Sequence, residues 1–459
     1  MQFCVLNGSP KGNLSVTLQS LRYLEKKRPA VTLETYHVSK SIRKLESNPA
    51  AFDAVITAVA NADVVVWSTP VYTLLVPSQY KRFIELIHER DASGAFSGKP
   101  AIILTTSILF FDHCAHHYLR GIVDDLDMRV AGVLSTDSYD LLEPAGQERL
   151  VAFGDLCMKV IEDRLFPPAE YPALPSHPSV FTSVHRKGNL ETDGNTLIIV
   201  TDEPLDADTS VSRMVDAFAG CFSARPAVYS LSDVAFSSGC MGCVQCGFDH
   251  ECLLEKTDAF VDFYRNVVMP ADWIVFAGAI RDRYLSSVWK AFFDRGFFNN
   301  HVPTLKGKQI GMLVSGPLTA LPNLREIFCG VMEWQGANLA GMVSDEGTPE
   351  AVDASLFNLA RQMQLAEQTG YIKPAGFLGV GGHKVFRDDV WGRHRFVFQA
   401  DHAYYEANGL YDFPHDDERI KETNAFMFEM TADPASRETI RKMLKKEMVK
   451  PHMKIVDNA

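Results

Sequence analysis

Residues 62–86, ADVVVWSTPVYTLLVPSQYKRFIEL, decide the fold. The apolar run within 63–69 reads as a strand covered on both faces, the pattern of a parallel sheet rather than of a half-solvated one. Pro70, Val71 and Tyr72 then make a loop, and a helix is predicted from about Pro77. Working outward, QFCVLN at 2–7 is a second buried strand, and GSPKGNLS at 8–15 is a tight loop opening a helix from about Ser15 to Lys26. KPAIILTTS, from Lys99, supplies a strand at 100–106, and a further strand runs from Arg129 to Thr136. With helices between them, these segments predict a five-stranded doubly wound parallel sheet over residues 1–165. Its ligand crevice should lie between the loops after strands one and three, at the topological switch point. The glycine, serine and asparagine loop offers hydroxyls and free N–H groups at a helix start, a setting for phosphate; a plain strand-to-helix turn is the alternative.

The pattern then returns. FPPAEYPALPSHPSV places five prolines between 167 and 178, marking residues 166–193 as an extended linker. TLIIV at 196–200 restarts the strands, and ADWIVFAG at 271–278 repeats ADVVVWST at 62–69. A shift of 209 also sets Lys81 on Lys290, Phe83 on Phe292, Gly98-Lys99 on Gly307-Lys308 and Ala131-Gly132 on Ala340-Gly341. This register predicts a tandem duplication, with the second unit over 194–365 and a separate extension over 366–459. Earlier in the unit the shift is 195, setting Asn13 on Asp208 and Ser15 on Ser210; 209 minus 195 leaves 14 extra residues in the second unit.

That insertion holds SGCMGCVQCGFDHEC, residues 238–252. Cys240, Cys243, Cys246 and Cys252 are too crowded for the two separated knuckles of an ordinary zinc site. They suit a loop wrapped round a [4Fe-4S] cubane, one cysteine per iron, although the gap of five residues before the fourth cysteine departs from the ferredoxin run. Zinc, or disulfides and free thiols, are the other readings. Cys4, Cys114, Cys157, Cys221 and Cys329 stand singly among apolar residues and read as buried thiols.

At 459 residues, 46% hydrophobic and 22% charged, the chain has the composition of a soluble globular protein of two or three domains. A net charge of −12 argues against a nucleic-acid footprint. The N-terminus enters a strand without the prelude of a signal peptide, and Asn61, Asp63, Pro70 and Pro77 interrupt the longest apolar region. No membrane association and a reducing cytoplasm are the expectations.

NGSPKGN with Ser15, ADVVVWSTPVY and VPSQYKRFIE resemble the flavodoxin-like NAD(P)H-dependent FMN reductases. The resemblance implies FMN, with Ser9, Lys11, Asn13 and Ser15 at its phosphate and Pro70, Val71 and Tyr72 at its ring. Thr105, Thr106 and Ser107 would form the third flavin loop, without the usual glycine pair. The cysteine motif ahead of a third strand further resembles the iron-sulfur flavoproteins of anaerobes, whose dimers bring a cluster to the partner subunit's flavin. The fold implied is two flavodoxin-like sheets of order 2-1-3-4-5 in tandem. In the second unit GSPKGN has become DEPLDA, and Pro70-Val71-Tyr72 has become Ala279-Ile280-Arg281, so one flavin and one cluster would remain.

The function implied is electron transfer between a ferredoxin-like one-electron carrier and a small two-electron acceptor. The alternatives are an NAD(P)H-dependent FMN or quinone reductase with an auxiliary cluster, and a redox- or oxygen-sensing binding protein; further pairing of the chain is left open. In the extension, His383, His394, His402, Tyr404 and Tyr405 could cap the flavin and supply a proton, or simply pack. GVGGH at 379–383 is too short for a dinucleotide fingerprint, and ETIRKMLKKEMVK predicts a basic terminal helix. His113 and His117, with Asp112, Cys114 and His116, could touch flavin or substrate or bind a metal. Arg281 and Arg283 could dock an acidic carrier protein or pair with Asp282.

Overall fold

The computed structural model describes residues 1–176, 180–184, 188–299, 301–413 and 418–458; Pro178 and the rest of 177–179 and 185–187, all in the expected linker, lie outside the described residues. The chain forms two compact units, Met1–Tyr404 and Tyr405–Ala459. The first half of the larger unit contains β1 (Gln2–Asn7), α1 (Val16–Lys27), β2 (Thr32–Tyr36), α2 (Ile42–Ser47), α3 (Pro49–Asn61), β3 (Val64–Pro70) and α4 (Ser78–Glu89). It continues with β4 (Pro100–Ser107), α5 (Asp112–Asp125), β5 (Arg129–Asp137) and α6 (Pro144–Glu162). The second half contains β6 (Leu197–Thr201), α7 (Ser210–Ala219), β7 (Ala227–Ser230), α8 (Phe260–Phe263), β8 (Trp273–Ala279) and α9 (Ser287–Gly296). After it come β9 (Gln309–Ser315), α10 (Pro322–Trp334), β10 (Asn338–Ser344) and α11 (Pro349–Thr369). Two helices follow, α12 (Phe377–Trp391) and α13 (Gln399–Ala407), and the smaller unit holds α14 (Glu418–Ala432) and the expected basic helix, α15 (Pro434–Val456).

Both sheets have five strands, in the orders β2-β1-β3-β4-β5 and β7-β6-β8-β9-β10. Every neighbouring pair is parallel. The flavodoxin-like order 2-1-3-4-5 therefore occurs twice, as expected. It places β3 and β8 centrally, and both are buried on each face until their last residue, which is why their sequences show no alternation. Among the described residues no helix is long and apolar enough to cross a membrane.

Each sheet has one private core. Phe3, Val5, Leu18 and Leu150 fill that of the first, and Ile199, Phe218, Val275 and Met363 that of the second. The opposite faces share a single core in which Tyr80 and Phe83 of α4 join Trp289 and Phe292 of α9. Burying each such aromatic is worth about 2–3 kcal/mol.

Two carboxylates cross this shared core and set its register. Glu85, near the end of α4, accepts from the Ser287 N–H and hydroxyl at the start of α9, both at 2.6 Å. Reciprocally, Asp294 near the end of α9 accepts from the Ser78 N–H at the start of α4 at 2.9 Å. The carboxylates are paired within their own helices with Lys81 and Lys290, one turn earlier, and all four side chains are buried. These residues match under the 209-residue shift, so the two helices contact each other in an isologous way. The turns before them match too: Tyr72 bridges Leu75 with Thr73 and Leu74 at positive φ, and Arg281 bridges Tyr284 with Asp282 and Arg283 at positive φ.

The linker is packed where it is described. The N–H groups of Glu170 and Tyr171 donate to Asp124 on α5, and the Pro172 carbonyl accepts from Arg283. Phe181 is buried in the second half's private core.

Burial favours the protonated form of Glu85, but the Lys81 ammonium and bonds from Ser287, Lys81 and Arg82 outweigh it and hold the carboxyl at about 2 against an ordinary 4.5. Its stabilisation should be complete above about pH 4.5 and disappear as pH falls towards 2. Glu85→Gln should therefore cost about 3 kcal/mol near neutrality and flatten the loss of stability on acidification, both readable from urea unfolding midpoints.

Candidate functional site

The loop after β1 is shaped by its own side chains. Asn7 accepts the Ser9 N–H through Oδ1 and donates through Nδ2 to the Gly12 carbonyl, while Gly12 takes a left-handed φ of 59° that closes the turn. Ser9 and Ser15 are buried, and Ser15 caps α1 by accepting from the Leu18 N–H at 3.3 Å. Lys11 points towards the same space. Burial lowers its proton affinity, opposed by the Cys240 and Cys243 sulfurs nearby. Two hydroxyls, an amine and a helix start make an anion cradle.

The cradle opens into a cavity of about 500 Å³, within the range of small-molecule sites. Pro70, Val71 and Tyr72 from the end of β3, and Thr106 and Ser107 from β4, form adjoining walls. The first-half loops thus converge on one cavity. The cysteine loop closes another side, with Cys240, Gly242, Val244 and Cys246 on the wall. Its backbone is held from the first half by Gln79, whose side-chain amide donates to the Cys240 carbonyl at 3.1 Å. From the second half, Arg295 donates to the Ser238 carbonyl at 2.9 Å while paired with buried Asp258.

The Tyr72 hydroxyl is buried against this loop and has no hydrogen-bond partner among the described residues. A methyl group on Gly242 would come within 1.8 Å of that oxygen. Burial first, then Cys240, Asp294 and Cys243, push the phenol well above its ordinary range, so it stays neutral. The Tyr72 carbonyl accepts from Lys290 at 2.7 Å, which ties the ring-facing loop to the α4–α9 contact.

Cys240, Cys243, Cys246 and Cys252 are unbridged. Cys240 and Cys246 are pushed up to about 12, both first by burial; Asp294 comes next for Cys240, and Cys240, Cys243 and Cys252 for Cys246. Among the described residues, the His, Cys, Asp and Glu ligand atoms that gather in threes within 4.8 Å are those of His113, Cys114 and Glu326, not of this loop.

The remaining wall comes from beyond the second sheet. Phe386, Asp389 and Val390 of α12, with His394 and Phe396–Phe398 after it, line the cavity, and Phe386 packs on Phe110 and Trp334. Glu333 caps α12 by accepting the Gly376 and Gly379 N–H groups. Asp401 is buried and bonds both His301 and His250, the latter within the cysteine loop.

Several expected residues lie elsewhere. Asn13 is exposed and its Oδ1 accepts from Arg22 at 2.8 Å, because the turn before α1 rotates it outward. Thr105 bonds His116 Nε2 at 2.7 Å behind the wall, since alternate residues of β4 face opposite sides. His113 bonds Glu326 and His117 bonds Tyr171, so these two do not form a shared pair of ligands and neither lines the cavity. Arg283 is buried, bidentate to Asp125 rather than paired with Asp282, and is not a docking group; Arg281 is exposed. Of the five candidate groups in the extension, His394 alone lines the cavity. In the second half, Asp202 bonds Ser286 and Glu203 bonds Thr209, so acids fill the place of the phosphate loop. Tyr139, just past β5, was not anticipated; its position at the carboxyl end of a strand was the available signal.

Gly242→Ala should cost about 2 kcal/mol in thermal or urea unfolding, because the new methyl group meets Tyr72 and φ there is 63°. Adding Tyr72→Phe should recover part of that loss.

Residues 1–136 match the family model described as NADPH-dependent FMN reductase. No curated protein matches the chain. Among solved structures, the apo form of an NADH:FMN oxidoreductase aligns at 22% identity over 34% of this chain and 89% of its own, with a TM-score of 0.29. The NAD(P)H:(acceptor) oxidoreductase FerB from Paracoccus denitrificans aligns at 16% identity over 35% of this chain and 97% of its own, with a TM-score of 0.28. An FMN-dependent NADH-azoreductase from Bacillus anthracis, in complex with FMN, aligns at 13% identity over 36% and 99%, with a TM-score of 0.25. Over residues 1–136 the chain is thus similar to the NADPH-dependent FMN reductases, and this match supports a flavin-dependent oxidoreductase with FMN as its cofactor.

Proposed function

We propose that the protein is an iron-sulfur flavoprotein in which one FMN and one [4Fe-4S] cluster share the cavity between the two halves. One observation carries the reading: Ser9, Lys11, Ser15 and Pro70–Tyr72 line the same cavity as Cys240 and Cys246. FMN would supply two-electron and one-electron chemistry and the cluster one-electron exchange. Ser9, Lys11, Ser15 and the start of α1 would hold the phosphate, and Pro70, Val71, Tyr72, Thr106 and Ser107 would bound the ring. Cys240, Cys243, Cys246 and Cys252 would ligate the cluster. Tyr72, neutral and pressed on Gly242, would keep water from the space between the two groups.

In this reading the second half is a duplicated unit that lost its flavin loops and kept the cysteine insertion. A ferredoxin-like carrier would exchange electrons at the exposed Cys243 side of the loop, in a reducing cytoplasm, and a small two-electron acceptor would enter the cavity. The family match to NADPH-dependent enzymes favours one second reading, an NAD(P)H-dependent FMN or quinone reductase with the cluster auxiliary. A strong nicotinamide preference in steady-state assays would select it.

Iron, acid-labile sulfide, zinc and FMN per chain, measured on anaerobically purified protein, test the proposal. Four irons, four sulfides and one FMN are expected. Zinc without sulfide would remove the electron-transfer reading. Cys243→Ala should lose cluster absorbance while retaining FMN; equal loss of both from a folded protein would refute the division into two sites.

A further inference from the structure

Three polar side chains stand in a row on the cavity wall. Tyr139 Oη lies 3.0 Å from His394 Nε2, and His394 Nδ1 lies 3.1 Å from Asp389 Oδ2. All three line the cavity, yet they come from the loop after β5, the chain after α12 and α12 itself. The row is anchored at both ends. The Ser138 N–H and hydroxyl each donate to the Ser107 carbonyl at 2.8 Å, fixing the loop that carries Tyr139. Arg393 donates to both oxygens of Asp137 and to Asp389, and its guanidinium sits 4.6 Å from the Tyr139 ring centre.

The charged and titratable groups around the imidazole are therefore Tyr139 and Asp137 from the first half, and Asp389 and Arg393 from the extension. Burial opposes ionisation of Asp389, but bonds from His394 and Arg393 outweigh it and hold the carboxyl below its ordinary range. An anionic Asp389 accepts the Nδ1–H of His394 and so turns Nε2 towards the Tyr139 hydroxyl. The cavity wall also carries the apolar rings of Phe110, Trp334, Phe386 and Phe398, which suit a flat, largely apolar molecule.

The geometry points to Tyr139 as the proton donor to an acceptor reduced in this cavity, with His394 and Asp389 as positioning residues that recharge it. The acceptor class is a quinone or related compound on whose oxygen negative charge develops. This rests on the flavin reading above. Quinone reduction takes two electrons and two protons. A hydride from the reduced flavin brings both electrons and one proton, leaving oxidised flavin, and the Tyr139 hydroxyl gives the second proton to the oxyanion. Tyr139 recovers a proton from His394 Nε2, and His394, 17% exposed, recovers one from water.

The test compares FMN-loaded wild type, Tyr139→Phe and His394→Gln in reoxidation by 1,4-benzoquinone, which needs protons, and by ferricyanide, which does not. The benzoquinone-to-ferricyanide rate ratio should fall about 100-fold in both variants. Independently, the ring-nitrogen chemical shifts of His394 in flavin-free protein should show its proton on Nδ1, and Asp389→Asn, which removes the facing anion, should move that proton towards Nε2. A ratio within threefold of wild type in Tyr139→Phe, or an unmoved His394 proton in Asp389→Asn, would overturn the proposal. A folded wild type that takes up no FMN would instead overturn the flavin reading, and this inference with it.

Discussion

Two helices that cap each other in the dark interior of the molecule are what the rest of the structure depends on. Glu85 reaches the start of α9, and Asp294 reaches the start of α4, each drawing on a lysine one turn earlier in its own helix. An uncapped helix start or a lone buried ammonium would cost several kcal/mol, so the four side chains act together or not at all. The arrangement admits one register only. Once α4 and α9 are set, the turn before each helix is set too, because Lys290 holds the Tyr72 carbonyl and Lys81 lies 3.5 Å from Asp282.

The position of the cavity follows from that contact. Both sheets present the carboxyl ends of their strands to loops, but the first half keeps hydroxyls and a lysine after β1 where the second has Asp202 and Glu203. The equivalent place in the second half is consumed by hydrogen bonds within the protein. What the second half contributes instead is the cysteine loop, which Gln79 and Arg295 hold against Tyr72 from either side of the helix pair. Two specialised halves therefore build one site, and neither encloses it alone.

The extension makes the enclosure asymmetric. Gly379 and Gly382 let α12 approach closely: a methyl group on the first would stand 2.8 Å from the Glu333 Cβ, and on the second 2.7 Å from the Phe110 ring. Glycine weakens an isolated helix by about 1 kcal/mol each, so this helix exists because it packs and because Glu333 caps it. Its far end then carries polar groups to the one edge of the cavity that the two sheets leave to them.

Much of this was legible in the chain. The unbroken apolar runs at β3 and β8 specify central parallel strands, and the 209-residue register specifies a second sheet of the same kind. The crowded cysteines and the loop at 8–15 mark where chemistry is to be sought. Edge strands such as β2 left a weaker trace, since a half-exposed TLETY has no buried run to declare it. At GVGGH local propensity opposes a helix that only packing can stabilise. Asn13 and Thr105 were assigned by family resemblance, whereas turn geometry and strand alternation decide which way a side chain faces. The sequence by itself determined the two sets of strands and the candidate loops, because apolar runs and a repeat can be read along the chain, and the family resemblance implied the strand order. That the cysteines of one half meet the phosphate-type loop of the other, and that His394 reaches Tyr139 across 255 residues, was decided only by the tertiary structure. Such pairings depend on how buried charges satisfy one another across the α4–α9 contact, and no short stretch of sequence carries that information.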